Sequence, residues 1–184
     1  MNKHTITTTN TLTPIGAVIL RDGKPVDLTS LTVKFFGVKD DGTSWITATT
    51  TGISKHPTST FTVDTSLDIL KSVAHSVHEN DQVVLSTSGT LPTGLSATTY
   101  FAKAVTPNAF QVATIPQGTA VDITASGSGT HSFYVVGSVQ FAFTSTHVAT
   151  AGTFWGWFTT TSGSDVQHYP FDGRTLRIEI VDAA

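Results

Sequence analysis

No stretch of the chain sustains a helical period over the length of a stable helix, whereas short runs of β-forming residues recur between Gly, Pro and Asp turns. That pattern constrains the fold more than any other feature. The nearest approach to a helix, Ser66 to Val77, places Leu67, Ile69, Leu70, Val73 and Val77 at partly helical spacing. It is short and carries two histidines, so strand or loop is the expectation there. Charged residues are only 12% of the chain, against about 25% in an ordinary domain, so uncharged side chains must supply the polar surface. Thr and Ser fill that role at roughly a quarter of the residues, and β-branched Thr favours pleated strands.

The strands follow from alternation. Leu12 to Leu20 leads into Asp22-Gly23, a tight-turn pair, and Leu31, Val33 and Phe35 share one face before Asp41-Gly42 turns the chain into Ser44 to Thr49. Near the C-terminal end, Val139, Phe141 and Phe143 point one way, Phe154 and Phe158 share a face with Gly156, and Leu176, Ile178 and Ile180 alternate with Arg177 and Glu179. The middle differs in texture, with Gly- and Ser-rich loops around strand-like runs at Gln82 to Leu85, Tyr100 to Ala104, Phe110 to Ala113 and Ser132 to Val136. Neither flank has enough strands alone. The expected fold is all-β: a sandwich of 14–62 with 137–184, a small β module inserted at 63–136, and an extended N-terminal arm at 1–13. The arm, almost uncharged and without a core-facing pattern, is expected to be mobile in isolation and to add a strand to a neighbour's sheet.

Two stretches carry a resemblance. Arg21-Asp22-Gly23-Lys24-Pro25-Val26-Asp27-Leu28-Thr29 with Leu31-Thr32-Val33-Lys34-Phe35 resembles the opening of the immunoglobulin-like domain at the N-terminus of siphophage upper baseplate proteins. Gly137-Ser138-Val139-Gln140-Phe141, Ala149-Thr150-Ala151-Gly152-Thr153-Phe154, and Tyr169-Pro170 with Asp172-Gly173 before Leu176-Arg177-Ile178-Glu179-Ile180 are similar to its last strands. The segment between resembles a module recurrent in phage tail and structural proteins, through His78-Glu79-Asn80-Asp81-Gln82-Val83, Gly89-Thr90-Leu91-Pro92-Thr93-Gly94-Leu95, Thr99-Tyr100-Phe101, Phe110-Gln111-Val112 and Gly127-Ser128-Gly129-Thr130. The resemblance implies an immunoglobulin-like sandwich and a non-enzymatic structural role in a tailed-phage virion. The partners it implies are other virion proteins, in a homo-oligomer or a symmetric ring or shell. Tail or baseplate is the expected location, capsid decoration or head fibre the first alternative, and a carbohydrate-binding host-recognition module the second.

Chemistry is sparse. A net charge of −3 gives no basic footprint for nucleic acid or anionic lipid, and the absence of cysteine removes thiolate nucleophiles and disulfides. The opening residues run into Thr rather than an apolar segment, the expectation for a product that is not secreted. His75 and His78 lack further ligands at a recognised spacing, so no metal is expected, and turn chemistry before Asn80-Asp81 accounts for them. No acid, histidine and serine form a catalytic set, so no enzyme activity and no cofactor are expected. Gly127-Ser128-Gly129 lacks the Gly-Lys-Ser/Thr ending of a phosphate loop and reads as a flexible hairpin tip. His4, His56, His131, His147 and His168 read as surface histidines. One feature exceeds background: in Thr153-Phe154-Trp155-Gly156-Trp157-Phe158, Trp155 and Trp157 project together from the face opposite Phe154 and Phe158. In the resembling domains these positions are usually polar. Covering both would bury about 400 Å², so Trp155 and Trp157, with Trp45, are the candidate interface residues. Trp45, the inserted module or the N-terminal segment is the alternative cover.

Overall fold

The computed structural model describes residues 3–8, 10–11, 13–169 and 176–182. The turn pair Asp172-Gly173, Pro170 and part of the N-terminal arm lie outside them. Every regular element among the described residues is a strand, and the chain divides into two compact units, 1–55 with 137–184 and 56–136.

The strands in chain order are β1 (Lys3–Thr7), β2 (Ile15–Val18), β3 (Leu20–Arg21), β4 (Lys24–Pro25), β5 (Thr32–Lys39), β6 (Ser44–Thr49) and β7 (Ile53–Lys55), then β8 (Ser59–Asp64), β9 (Ile69–Lys71), β10 (Gln82–Thr87), β11 (Thr99–Thr106), β12 (Ala109–Ala113) and β13 (His131–Val135). The chain closes with β14 (Ser138–Phe141), β15 (Gly152–Ser162), β16 (Asp165–Tyr169) and β17 (Leu176–Val181).

The first unit is a two-sheet sandwich. One sheet runs β1-β17-β15-β5-β6, with β16 also on β15; the other runs β2-β14-β7. Alternation explains the packing: Val33 and Phe35 of β5, Phe154 and Phe158 of β15, and Ile178 and Ile180 of β17 face Ile15, Val139 and Phe141 of the smaller sheet. Phe35 stacks on Phe141 with ring centroids 4.3 Å apart and meets Phe158 edge-on at 5.1 Å. Gly156 lies at this crossing because a Cβ there would press into the Phe35 ring and sit 3.1 Å from Ile178 Cδ1. The close approach is thus to an aromatic ring. Asp22 and Gly23 both take positive φ, 52° and 74°, and join β3 to β4 as a tight hairpin.

The N-terminal arm is not free. β1 pairs in parallel with β17 of its own chain, Lys3 opposite Arg177 through Thr7 opposite Val181, and Ile6 is 3% exposed in the sandwich core. The β17 edge needs hydrogen-bonding partners whatever the side chains, and one buried isoleucine fixes the register.

The second unit is a closed barrel, β10-β11-β12-β9-β8-β13, filled by Phe61, Leu70, Val83, Phe110, Phe133 and their neighbours. It begins earlier than the sequence indicated. Residues 56–62 belong to it, because β8 pairs with β13 and β9 rather than with a sandwich strand. Residues 65–68 form a turn and Ile69–Lys71 a strand, in line with the strand or loop expected of that run. In the sandwich Lys55, just before the insertion, is the Cα partner of Val139, two residues past Gly137, where the sandwich resumes; in the barrel Ser59 and Phe133 are partners. Such adjacent ends are where an inserted unit is tolerated.

Candidate functional site

Strand β15 is buried on one face at Phe154, Gly156 and Phe158 and half-buried on the other at Trp155 and Trp157. The register sets the outer face: Trp155 lies opposite Val38 on one side and Arg177 on the other, and Trp157 lies opposite Phe36. Phe36 and Trp157 stack nearly parallel, 4° between planes and 5.4 Å between centroids. Trp155 Nε1 donates a 2.6 Å hydrogen bond to Asp40 Oδ1, which fixes the indole at the end of β5. Arg177 and Glu179, 3.9 Å apart, edge the patch. Phe36, Val38, Trp155 and Trp157 are all half-buried, so together they offer at most about 300 Å² of apolar area, well short of the roughly 800 Å² per partner of a standard interface.

Trp45 does not belong to this face. Its ring packs on the core side, 4.2 Å from Phe154 and 5.7 Å from Phe143, and its Nε1 donates to the His147 carbonyl at 3.0 Å. Gly37 makes room for it: a Cβ there would lie 2.6 Å from Trp45 Cε3. The three tryptophans therefore divide into an outer pair and one half-buried ring on the other side of the sheet. The N-terminal strand adds to the edge at β17.

That third tryptophan lines a recess of about 520 Å³ between the β5–β6 turn and the segment 146–154. Asp40 and Asp41 stand on the turn. Asp41 Oδ1 accepts from Thr43 N at 2.8 Å and Thr43 Oγ1 at 2.6 Å, and these bonds hold its carboxyl below the usual range. Burial likewise pushes the His147 imidazole below its ordinary value, and its Nδ1 accepts from Thr144 N at 3.2 Å. Sequence reasoning missed this place because its residues come from two separated loops and form no motif.

Several histidines depart from the surface role expected of them. His131 is 7% exposed at the inner face of β13, with Nδ1 2.9 Å from Thr87 Oγ1 and Nε2 2.9 Å from the Ser126 carbonyl. A carbonyl can only accept, so Nε2 donates to Ser126, while Thr87 Oγ1 is also placed to donate to the Ser128 carbonyl at 3.2 Å. His56 stacks on Tyr134 at 4.7 Å. His75 Nδ1 accepts from Val77 N while Nε2 is buried against Phe110, and His78 sits in a turn whose N–H donates to Asp81 Oδ2 at 2.7 Å. Among the described residues no three His, Asp or Glu side chains converge as metal ligands would, and no helix is long and apolar enough to cross a membrane. Gly127-Ser128-Gly129 is not a free tip. Ser128 N donates to the Thr90 carbonyl at 2.9 Å, and Thr130 N to Ser88 Oγ at 3.0 Å, because the small residues of 87–90 let the two backbones meet.

Comparison of the chain with protein-family models, with curated proteins and with solved structures finds no match in any of the three.

Proposed function

We propose that this protein is a non-enzymatic structural component of a tailed-bacteriophage virion, part of the tail or baseplate, which docks on neighbouring virion proteins through the outer face of its larger sheet. The observation that carries this reading is the half-exposed row of Phe36, Val38, Trp155 and Trp157 held in cross-strand register. Tryptophans fixed by a hydrogen bond and a stacking partner lose little freedom on docking, which is the behaviour of interface anchors. The nested resemblance of the flanks and the insertion to phage structural modules supplies the context. The patch is smaller than a complete interface, which fits a subunit held by several neighbours in a symmetric assembly.

Quantitative mass spectrometry of purified particles from the genome that encodes the chain tests this. The proposal expects the chain in the particle at a small multiple of roughly three or six copies. Hundreds of copies would move it to the capsid surface, and absence from purified particles would overturn it.

A further inference from the structure

We infer that the recess between the β5–β6 turn and the segment 146–154 is a binding site for a neutral saccharide. The docking face lies on the other side of the sheet, and Asp40, whose Oδ1 holds the Trp155 indole, is the residue the two places share. Its volume of about 520 Å³ falls within the range of small-ligand pockets, roughly 300–1,000 Å³. The lining combines the two things that a sugar ring needs. Trp45, half-buried and packed over the buried Phe154, contributes aromatic surface to which the apolar C–H face of a pyranose can pack. Asp40 and Asp41 contribute carboxylates that accept from hydroxyls in charge-assisted bonds.

Both halves are preorganised. Trp45 is fixed by its bond to the His147 carbonyl and its close fit over Gly37. Each carboxylate spends one oxygen on the protein, Asp40 on Trp155 Nε1 and Asp41 on Thr43. Its second oxygen has no partner among the described residues. Preorganised polar groups lose little entropy on binding a flexible, hydrated ligand. Charge argues for a neutral occupant: Lys39 also lines the recess and lies close enough to Asp41 to act on it electrostatically, so neither a simple anion nor a simple cation meets a field of one sign.

The experiment is an NMR titration of the full chain with the methyl glycosides of glucose, galactose, N-acetylglucosamine and rhamnose, with arginine methyl ester as the cationic probe. At least one glycoside is expected to give saturable shifts confined to the amides of 39–45 and 146–154 and to the Trp45 indole N–H. Ala151 is exposed at the recess, so Ala151→Arg should plug it and abolish those shifts at unchanged melting temperature. Trp45→Phe, which keeps an aromatic ring in the packing, should weaken binding about fivefold or more. No saturable shift up to about 50 mM, well above millimolar affinity, overturns the inference. So does binding of the arginine ester without any glycoside, or glycoside binding that survives Ala151→Arg.

Discussion

Gly156→Ala is the sharpest probe of how the sandwich is packed. Its new Cβ would press into the Phe35 ring, 2.9 Å from Cε2, and approach Ile178 Cδ1 at 3.1 Å. Phe35 cannot swing away, because it is fully buried and wedged between Phe141 at 4.3 Å and Phe158 at 5.1 Å. Overpacking of this kind costs about 1–3 kcal/mol, against about 0.4–1 kcal/mol recovered from the stiffer unfolded chain. The ranges leave a net loss of up to about 2.6 kcal/mol, and a contact this close to a ring that cannot move puts Gly156→Ala at about 1–2 kcal/mol. For a unit of about 100 residues that lowers the melting temperature by roughly 4–15 °C. Differential scanning calorimetry reads it, and the loss should fall on the sandwich transition while the barrel transition stays in place. A melting temperature unchanged or raised would refute the packing of Phe35 across β15.

Replacing residues 56–136 by a short Gly-Ser linker should leave a folded sandwich with dispersed NMR amide signals, since Lys55 and Val139 are already strand partners; an insoluble or collapsed chain would contradict two units. The double change Trp155→Gln with Trp157→Glu should cut incorporation into particles at least tenfold while lowering the melting temperature by only a few degrees, because both rings are half-buried; a fall above about 10 °C would make them core residues. In the barrel, the Asp64 carboxyl is lowered to about 2, chiefly by its hydrogen bond from Lys71 and then by Ser66. Its folded value lies below its unfolded one, so the stabilisation is present above about pH 4 and is lost as pH falls toward 2. Carboxyl NMR should find that midpoint, and Lys71→Met should raise it; an Asp64 midpoint near the ordinary carboxylate value in the unaltered protein would contradict the Asp64–Lys71 contact.

What the sequence made legible was local. The alternation of Leu176, Ile178 and Ile180, and of Phe154 and Phe158 against Trp155 and Trp157, reads directly as inner and outer faces because the strand period is two. Partners were not legible. Residues 56–62 carry no mark saying whether they join the sandwich or the barrel; pairing of β8 with β13, some seventy residues on, decides it. Lys3–Thr7 has one buried apolar side chain, Ile6, so its strand comes from the open edge at β17 rather than from a pattern. Sequence alone does not separate Trp45 from the outer tryptophans, because it does not show that Gly37 leaves room for the indole on the core side. The recess beside it depends on two loops that only the fold brings together.

The central claim, that this chain is a virion subunit docking through the outer face of its larger sheet, meets its most direct test in an electron cryo-microscopy reconstruction of the whole particle. The account predicts the chain in the tail or baseplate, with Trp155 and Trp157 covered by a neighbouring subunit. A reconstruction in which that face points into solvent, or in which the chain has no place, would contradict it.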